Sequence, residues 1–551
     1  MVELIEQPER RTTEEKIDTI LQVQDVHVPE SRLIRLSQEA QLHWRRGEQQ
    51  RAAMTRDLEP AAVFQALRSN DADQTTQTVS APAQGVPVSG DPAWLTITDL
   101  VSLLDRRELS SREITELMLR RIERHDRTVN GYMTVLAERA LADADAADRK
   151  RAAGDTAALL GIPLAIKDLC DMRGVPTTAG SRILKDTIAQ HDATVVRLLQ
   201  DAGAVVLGKT HMSDFAYAFA HPDYGPSRTP WDTTRSASGS SGGSGAVVAA
   251  GLAYAAIGSD TAGSIRFPAA ACGITGHKPT YGLVSRRGVV PFSWSFDHVG
   301  PMTRSARDAM LLLDVIAVDD GRDPATVEGR RRPKVGRLHD LKGRRFGVDL
   351  RLCDDLHPDV KQAVEATLTS LRGLGAVICE VQLADLDLVN AMAFSIMMPE
   401  VVSFHARWLR DCPEDYTPGV RSAFEGGLSI PAAQYVDAQR LRSRFNRSFQ
   451  ALFVEHSLDA LIWPPVRGLP ASVIREPMTD EFFEFDMRWT VIGNLTGAPS
   501  IAIPCGFTSE NLPLSVLLTG LPNHDDLILR VAEAYQSVSD WHQRHPPGYE
   551  S

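Results

Sequence analysis

Three short stretches of this sequence carry side chains that could do chemistry together. The first is Gly161-Ile-Pro-Leu-Ala-Ile-Lys167-Asp168-Leu169, in which a lysine closes an apolar, strand-like run. Burial is costly for an ammonium and lowers its pKa toward the range where the free amine acts as a base. A strand-end lysine that simply reaches solvent is the plainer alternative. The second stretch is SASGSSGGSG at 236–245, made only of Ser, Gly and one Ala. Such composition is by default a flexible tether, yet its flanks, Pro230-Trp231 and the apolar run AVVAAGLAYAAIG, leave a tether nothing to connect. A Gly/Ser stretch enclosed by core segments is expected instead to bring backbone and hydroxyls close to a ligand. The third is Gly258-Ser-Asp-Thr-Ala-Gly-Ser-Ile-Arg-Phe-Pro268. Here Ala255-Ala-Ile reads as a strand that turns at Ala262-Gly263. Ser264 sits where a new helix could begin with successive N–H groups unpaired, a geometry suited to an oxyanion. Each of these serines taken singly is also explained as a loop hydroxyl or a cap.

Two pattern matches point elsewhere and fail on context. Gly203-Ala-Val-Val-Leu-Gly208-Lys209-Thr210 fits the phosphate-loop pattern, but its four intervening residues are themselves strand formers, so a helix-turn-strand is expected. Gly239-Ser240-Ser241-Gly242-Gly243 fits the nucleophile elbow, which needs an apolar strand before it. The preceding Trp231-Asp-Thr-Thr-Arg-Ser-Ala-Ser is polar and turn-like.

The elements that must hold these stretches are those of a large α/β core. The chain has 551 residues, 43% of them hydrophobic and 24% charged, which supplies apolar side chains for a sizeable interior. Ser110-Ser-Arg-Glu113 predicts a capping box ahead of Ile114, Leu117 and Met118. Asp192 to Asp201 reads as a helix ended by Gly203 before the strand Ala204-Val-Val-Leu207. This alternation predicts a layered α/β fold, and no solenoid period is present. Residues 1–69 carry helical stripes (Ile17, Ile20, Leu21; Leu33, Leu36, Ala40; Val63, Phe64, Leu67) and are expected to form a small helical domain. Residues 70–92, rich in Thr, Ser, Pro and Gly, read as a linker, and 93–545 as the large α/β domain.

The net charge of −12 argues against a nucleic-acid partner, and the basic cluster Arg330, Arg331, Arg332 and Lys334 reads as a solvated loop. Six scattered cysteines show no zinc spacing and read as reduced thiols of a cytoplasmic protein, with no metal and no cofactor expected. The longest apolar run, Ala246 to Ile257, is too short to span a bilayer, so no membrane association is expected.

Together the three stretches resemble the amidase signature family of serine hydrolases. The likeness runs from about Trp94 to Tyr535 and rests on GIPLAIKDL, GKTHMSDFA, PSRTPWD, GSSGGSGA and GSDTAGSIRFPAAACGITGHKPTYGLV, with later echoes in FDHVGPMTRSARDAMLLLDVIA and NLTGAPSIAIPCGF. The resemblance implies a large mixed twisted sheet covered by helices on both faces. It also implies Lys167 as terminal base, Ser240 as bridging serine after a cis Gly239–Ser240 bond, and Ser264 as acyl-forming nucleophile. The N–H groups of Thr261, Ala262, Gly263 and Ser264 would form the oxyanion hole. Gly239, Ser241, Asp260 and Arg266 would support the loops, and Asp214 would line the acyl pocket. The family usually carries Gly where this chain has Ala262.

The function so implied is hydrolysis of the C–N bond of a small-molecule carboxylic amide, and of esters or carbamates by the same chemistry. A transamidating, glutaminase-type subunit of a tRNA-dependent amidotransferase is the alternative within the family, and a catalytically silent binding protein the alternative of another class. The stretch 390–490 matches the family least and is expected to vary with substrate. Its Met397, Met398, Phe404, Trp408, Trp463, Phe482 and Phe483 fit an apolar or aromatic substrate group, or equally a plain core. The helical stripes of residues 1–69 need a cover, either the parent domain or a second copy of the chain, and the second copy is the expectation, making the protein a homodimer.

Overall fold

The computed structural model of the chain describes residues 12–23, 26, 28–53, 91–218, 220–326, 338–473 and 486–550. Two helices come first, α1 (Thr13–Val23) and α2 (Glu30–Ala53). Then follow α3 (Ile97–Asp105), α4 (Ser111–Val129), β1 (Tyr132–Val135), α5 (Ala137–Ala152), β2 (Pro163–Lys167), α6 (Thr194–Asp201), β3 (Val205–Thr210), α7 (Gly242–Ala249), β4 (Ala255–Asp260), α8 (Arg266–Cys272), β5 (Thr275–Lys278), β6 (His298–Thr303) and α9 (Ala306–Ile316). The second half contributes β7 (Arg345–Val348), α10 (Pro358–Gly373), β8 (Val377–Glu380), α11 (Val389–Asp411), α12 (Pro418–Gly427), α13 (Ala432–His456), β9 (Ala460–Trp463), α14 (Arg488–Leu495), β10 (Ser500–Phe507), β11 (Pro513–Thr519) and α15 (Asp525–Gln536).

Local chemistry accounts for several of these boundaries. Both halves of the predicted capping box form at the start of α4, Ser110 Oγ accepting from the Glu113 N–H while the Glu113 carboxylate accepts from the Ser110 N–H. Asn130 closes the helix in the left-handed conformation at φ 52°. In the phosphate-loop match, Val205, Val206 and Leu207 lie inside β3 as expected, and Lys209 is buried against Asp168 at 2.9 Å.

The strands form one eleven-stranded mixed sheet in the order β1-β3-β2-β4-β6-β5-β10-β11-β9-β7-β8, with helices packed on it. β2 runs parallel to both β3 and β4. The register pairs Ile166 with Ile257, so Lys167 and the Gly258-Ser259-Asp260 segment emerge side by side at the carboxyl ends of neighbouring strands. That edge is where open parallel sheets present loops to ligands. The architecture is the α/β fold expected from the alternation of elements.

The N-terminal helices correct one expectation. Ile17, Leu21, Leu36 and Ala40 are buried within this chain, against each other and against Leu428 and Val402 of the α11–α12 region. The chain thus covers these stripes itself, which removes the packing argument for a homodimer built on them. Val63, Phe64, Leu67, the stretch 70–90 of the expected linker, the basic cluster at 330–334 and Phe482 and Phe483 lie outside the described residues. The segment Leu386–Asp411 is long and apolar enough to cross a membrane by composition. It is instead packed between α2, α12, α13 and α14.

Candidate active site

Lys167 ends β2 with its side chain fully buried. Its Nζ lies 2.6 Å from Ser240 Oγ, 2.8 Å from Ser241 Oγ and 2.8 Å from Ser259 Oγ. Burial pushes the lysine down to about 7, against the opposing influence of Cys170, Asp260 and Asp297. The three hydroxyls are not equivalent. Ser241 Oγ donates to the Ser259 carbonyl (3.1 Å), so toward the amine it can only accept. Ser240 is free to give its proton to a neutral amine and to take one from a third group.

The Gly/Ser stretch is packed tightly, as its flanks suggest. The Gly239–Ser240 peptide bond is cis. The first turns of α7 are buried, and a Cβ on Gly243 would stand 2.4 Å from the Gly131 carbonyl oxygen and 2.5 Å from that of His211. Backbone this close to backbone admits only glycine. The Ser241 N–H donates to the Ser264 carbonyl (3.2 Å), which ties the two serine-bearing loops together.

Ser264 lies half-buried on the turn between β4 and α8. Asp260 governs this turn. Its fully buried carboxylate accepts from the Gly263 N–H (2.9 Å), the Ile265 N–H (3.1 Å), both edges of the Arg266 guanidinium (2.9 and 2.8 Å) and Asn494 Nδ2 (3.0 Å). Burial alone would raise this carboxyl, but Arg266 and these hydrogen bonds outweigh it and hold it well below the usual range. The Gly263 N–H is therefore already engaged, which takes it out of the expected oxyanion set. The N–H groups of Thr261, Ala262 and Ser264 make no backbone or side-chain hydrogen bond among the described residues. Gly263 has φ +133°, and a Cβ there would meet Phe267 at 2.5 Å. Ala262, where the family usually has glycine, is not among the left-handed residues, so its methyl costs no backbone strain.

Several supports of the site are remote in sequence. Thr490 Oγ1 donates to the Ala262 carbonyl (2.5 Å), and Arg266 donates to the Thr490 carbonyl (2.6 Å) and Asn494 Oδ1 (2.7 Å). Thr261 Oγ1 donates to Asp297 Oδ1 (2.6 Å). Asp214 is fully buried, with Oδ2 accepting from the Thr417 N–H (2.8 Å), and burial raises its carboxyl. It lies on the segment whose Ser213 N–H donates to the Ser240 carbonyl (3.2 Å). Sequence reasoning missed Ser259, Thr490, Asn494 and Asp297. For Ser259 no local signal exists, since the register of β4 against the strand that ends in Lys167 is what brings it to the amine. Of the aromatic candidates, Trp463 is plain core, fully buried with its indole N–H on the Trp489 carbonyl.

Residues 113–529 match the protein-family model described as Amidase. The chain is 38% identical over 482 residues to a glutamyl-tRNA(Gln) amidotransferase subunit of Chromohalobacter salexigens, covering 82% of this chain and 98% of that protein. It is equally 38% identical over 462 residues to an amidase of Pseudomonas putida, covering 82% and 97%. Among solved structures, the native peptide amidase of Stenotrophomonas maltophilia is similar at a TM-score of 0.72 and 30% identity, covering 83% of this chain and 99% of that one. The chain belongs to the amidase signature family of enzymes.

Proposed function

We propose that this protein hydrolyses the C–N bond of a carboxylic amide through an acyl-enzyme on Ser264. The observation that carries this reading is a fully buried lysine, held near neutrality in pKa, with its amine on the hydroxyl of Ser240. Serine is a weak nucleophile near pH 7 and needs a proton acceptor. Ser264 Oγ attacks the amide carbon as its proton passes to Ser240 and that of Ser240 to Lys167 Nζ. The C–N bond then breaks, and the departing amine recovers the proton along the same path. Water repeats the sequence in place of the amine, releasing the acid and restoring Ser264. The N–H groups of Thr261, Ala262 and Ser264 serve the oxyanion, each worth on the order of 3 kcal/mol.

A fluorophosphonate is expected to add one adduct, at Ser264, and Ser264→Ala to lose both labelling and amide turnover. Mass spectrometry of the peptide checks this, and an adduct on Ser241 instead would sink it. The rate should rise with pH through about 7, because only the neutral lysine accepts a proton. Three acceptors around Nζ match the three protons of the ammonium form. Removing one in Ser259→Ala should therefore shift the rising limb of the pH profile to lower pH, by roughly half a unit to one unit. A limb that stays in place would deny Ser259 this part.

The second reading is release of ammonia from glutamine for a partner subunit. Seven curated relatives at 36–38% identity are amidotransferase subunits, which favours it. The amidase of Pseudomonas putida is as similar, and α1 and α2 lie outside the residues that the family model matches. Ammonia release from glutamine, measured beside hydrolysis of anilides and aliphatic amides by the purified chain, separates the two.

A further inference from the structure

Helix α2 buries an unusual face. Glu39, His43, Arg46 and Gln50 recur at spacings of four, three and four, which places them on one stripe, and all are buried. Charged residues are rarely buried unless paired, so a polar stripe facing inward calls for an explanation. Its far end is tied down through its donors, although Gln50 Oε1 has no hydrogen-bond partner among the described residues. Gln50 donates to the Ala391 carbonyl (2.8 Å) and Ser395 Oγ (2.9 Å), and the Arg46 guanidinium lies 3.9 Å from the centre of the Phe394 ring. Gln434 of α13 donates to the His43 carbonyl (3.0 Å). Close approach is built in, since a Cβ on Gly47 would stand 2.5 Å from Gln434 Oε1 and one on Gly426 3.0 Å from Glu39 Cβ.

At the near end two more buried atoms lack a partner. Glu39 is 4% exposed and His43 2% exposed, yet Glu39 Oε1 and His43 Nδ1 have no hydrogen-bond partner among the described residues. Buried polar atoms in native proteins are nearly always satisfied. This end packs at Gly426 of α12, and Phe424 of the same helix lies 5.8 Å from the Tyr217 ring and 6.1 Å from that of Phe292. The Tyr217 ring stacks on Phe292 at 5.8 Å, and the Phe292 N–H donates to Asp297, the acceptor of the Thr261 hydroxyl on the nucleophile's turn. The segment bearing Tyr217 also abuts Gly239, with Ser213 Oγ 2.6 Å from where a Cβ would be. Relatives matched over nearly their whole length leave close to a fifth of this chain without a counterpart, and α2 precedes the family match.

We propose that α2 forms the far wall of the substrate site and that Glu39 and His43 accept a hydrogen-bond donor, an amide or amine group, at the distal end of the acyl chain. The inference rests on the hydrolase reading above and adds the class of substrate. Two fluorophosphonates of equal chain length, one ending in a primary carboxamide and one in a methyl group, test it by their labelling rates at Ser264. The wild-type chain should label faster with the carboxamide probe. Glu39→Met, of similar shape but without an acceptor, should cut that preference roughly tenfold or more, and Glu39→Gln, which retains one, should keep part of it. If Glu39→Met does not fold, His43→Phe is read on the same ratio. Equal rates with both probes, or a ratio unchanged in the variant, overturns the proposal alone. Labelling by neither probe overturns the hydrolase reading and this proposal with it.

Discussion

Lys167→Met is expected to lower amide turnover by about 10⁴-fold while the protein stays folded. Methionine matches the length of the lysine stem and suits a fully buried position, so the loss falls on chemistry rather than packing. What disappears is the acceptor at the end of the proposed Ser264-Ser240-Lys167 path, and with it the expected rise in rate near pH 7. Because the proposed path makes the three groups one unit, adding Ser264→Ala to Lys167→Met should cost almost nothing further. Initial rates for the two single variants and the double, with circular dichroism as the check on folding, provide the test. Turnover of Lys167→Met within tenfold of wild type would remove lysine from the mechanism.

Arg266→Met should give the largest loss of stability, about 3–5 kcal/mol, seen as a clear fall in thermal midpoint. The variant leaves the Asp260 carboxylate buried without its guanidinium, in a site where neither group has any exposure. Replacing both, as Asp260→Asn with Arg266→Met, should recover part of the loss, since no lone buried charge then remains. A single variant as stable as wild type would show that the ion pair does not hold this turn. The pH dependence follows from the same pair. The Asp260 carboxyl is held below its unfolded range, so its contribution is present above about pH 4 and is lost as the pH falls through the lower folded value.

Much of the site was legible because its parts are local. Lys167 at the end of an apolar run, the Gly/Ser stretch between core segments, and the strand-turn-helix around Ser264 are each set by near neighbours in the chain. The capping box at Ser110 and Glu113 belongs to the same class, as does the strand that displaced a phosphate loop at Gly203 to Thr210. In every case the deciding interaction spans a few residues, and its hydrogen-bond geometry or periodicity is written in residue types.

Pairings between distant segments have no such local signal. The register of β2 against β4 sets Ser259 beside the Lys167 amine, and no spacing in the sequence encodes that register. Asp260 spends its carboxylate on the Gly263 N–H, leaving a different set of N–H groups on the turn than the motif implies. Thr490 and Asn494 reach the same turn from α14. On α2 the apolar residues Leu36 and Ala40 marked an amphipathic helix, but the polar stripe from Glu39 to Gln50 is buried as well, because α11, α12 and α13 meet the helix on that side. Local preference decides which element forms. Which of its faces is covered, and which hydroxyl finds a given amine, is decided by the long-range packing that brings the elements together.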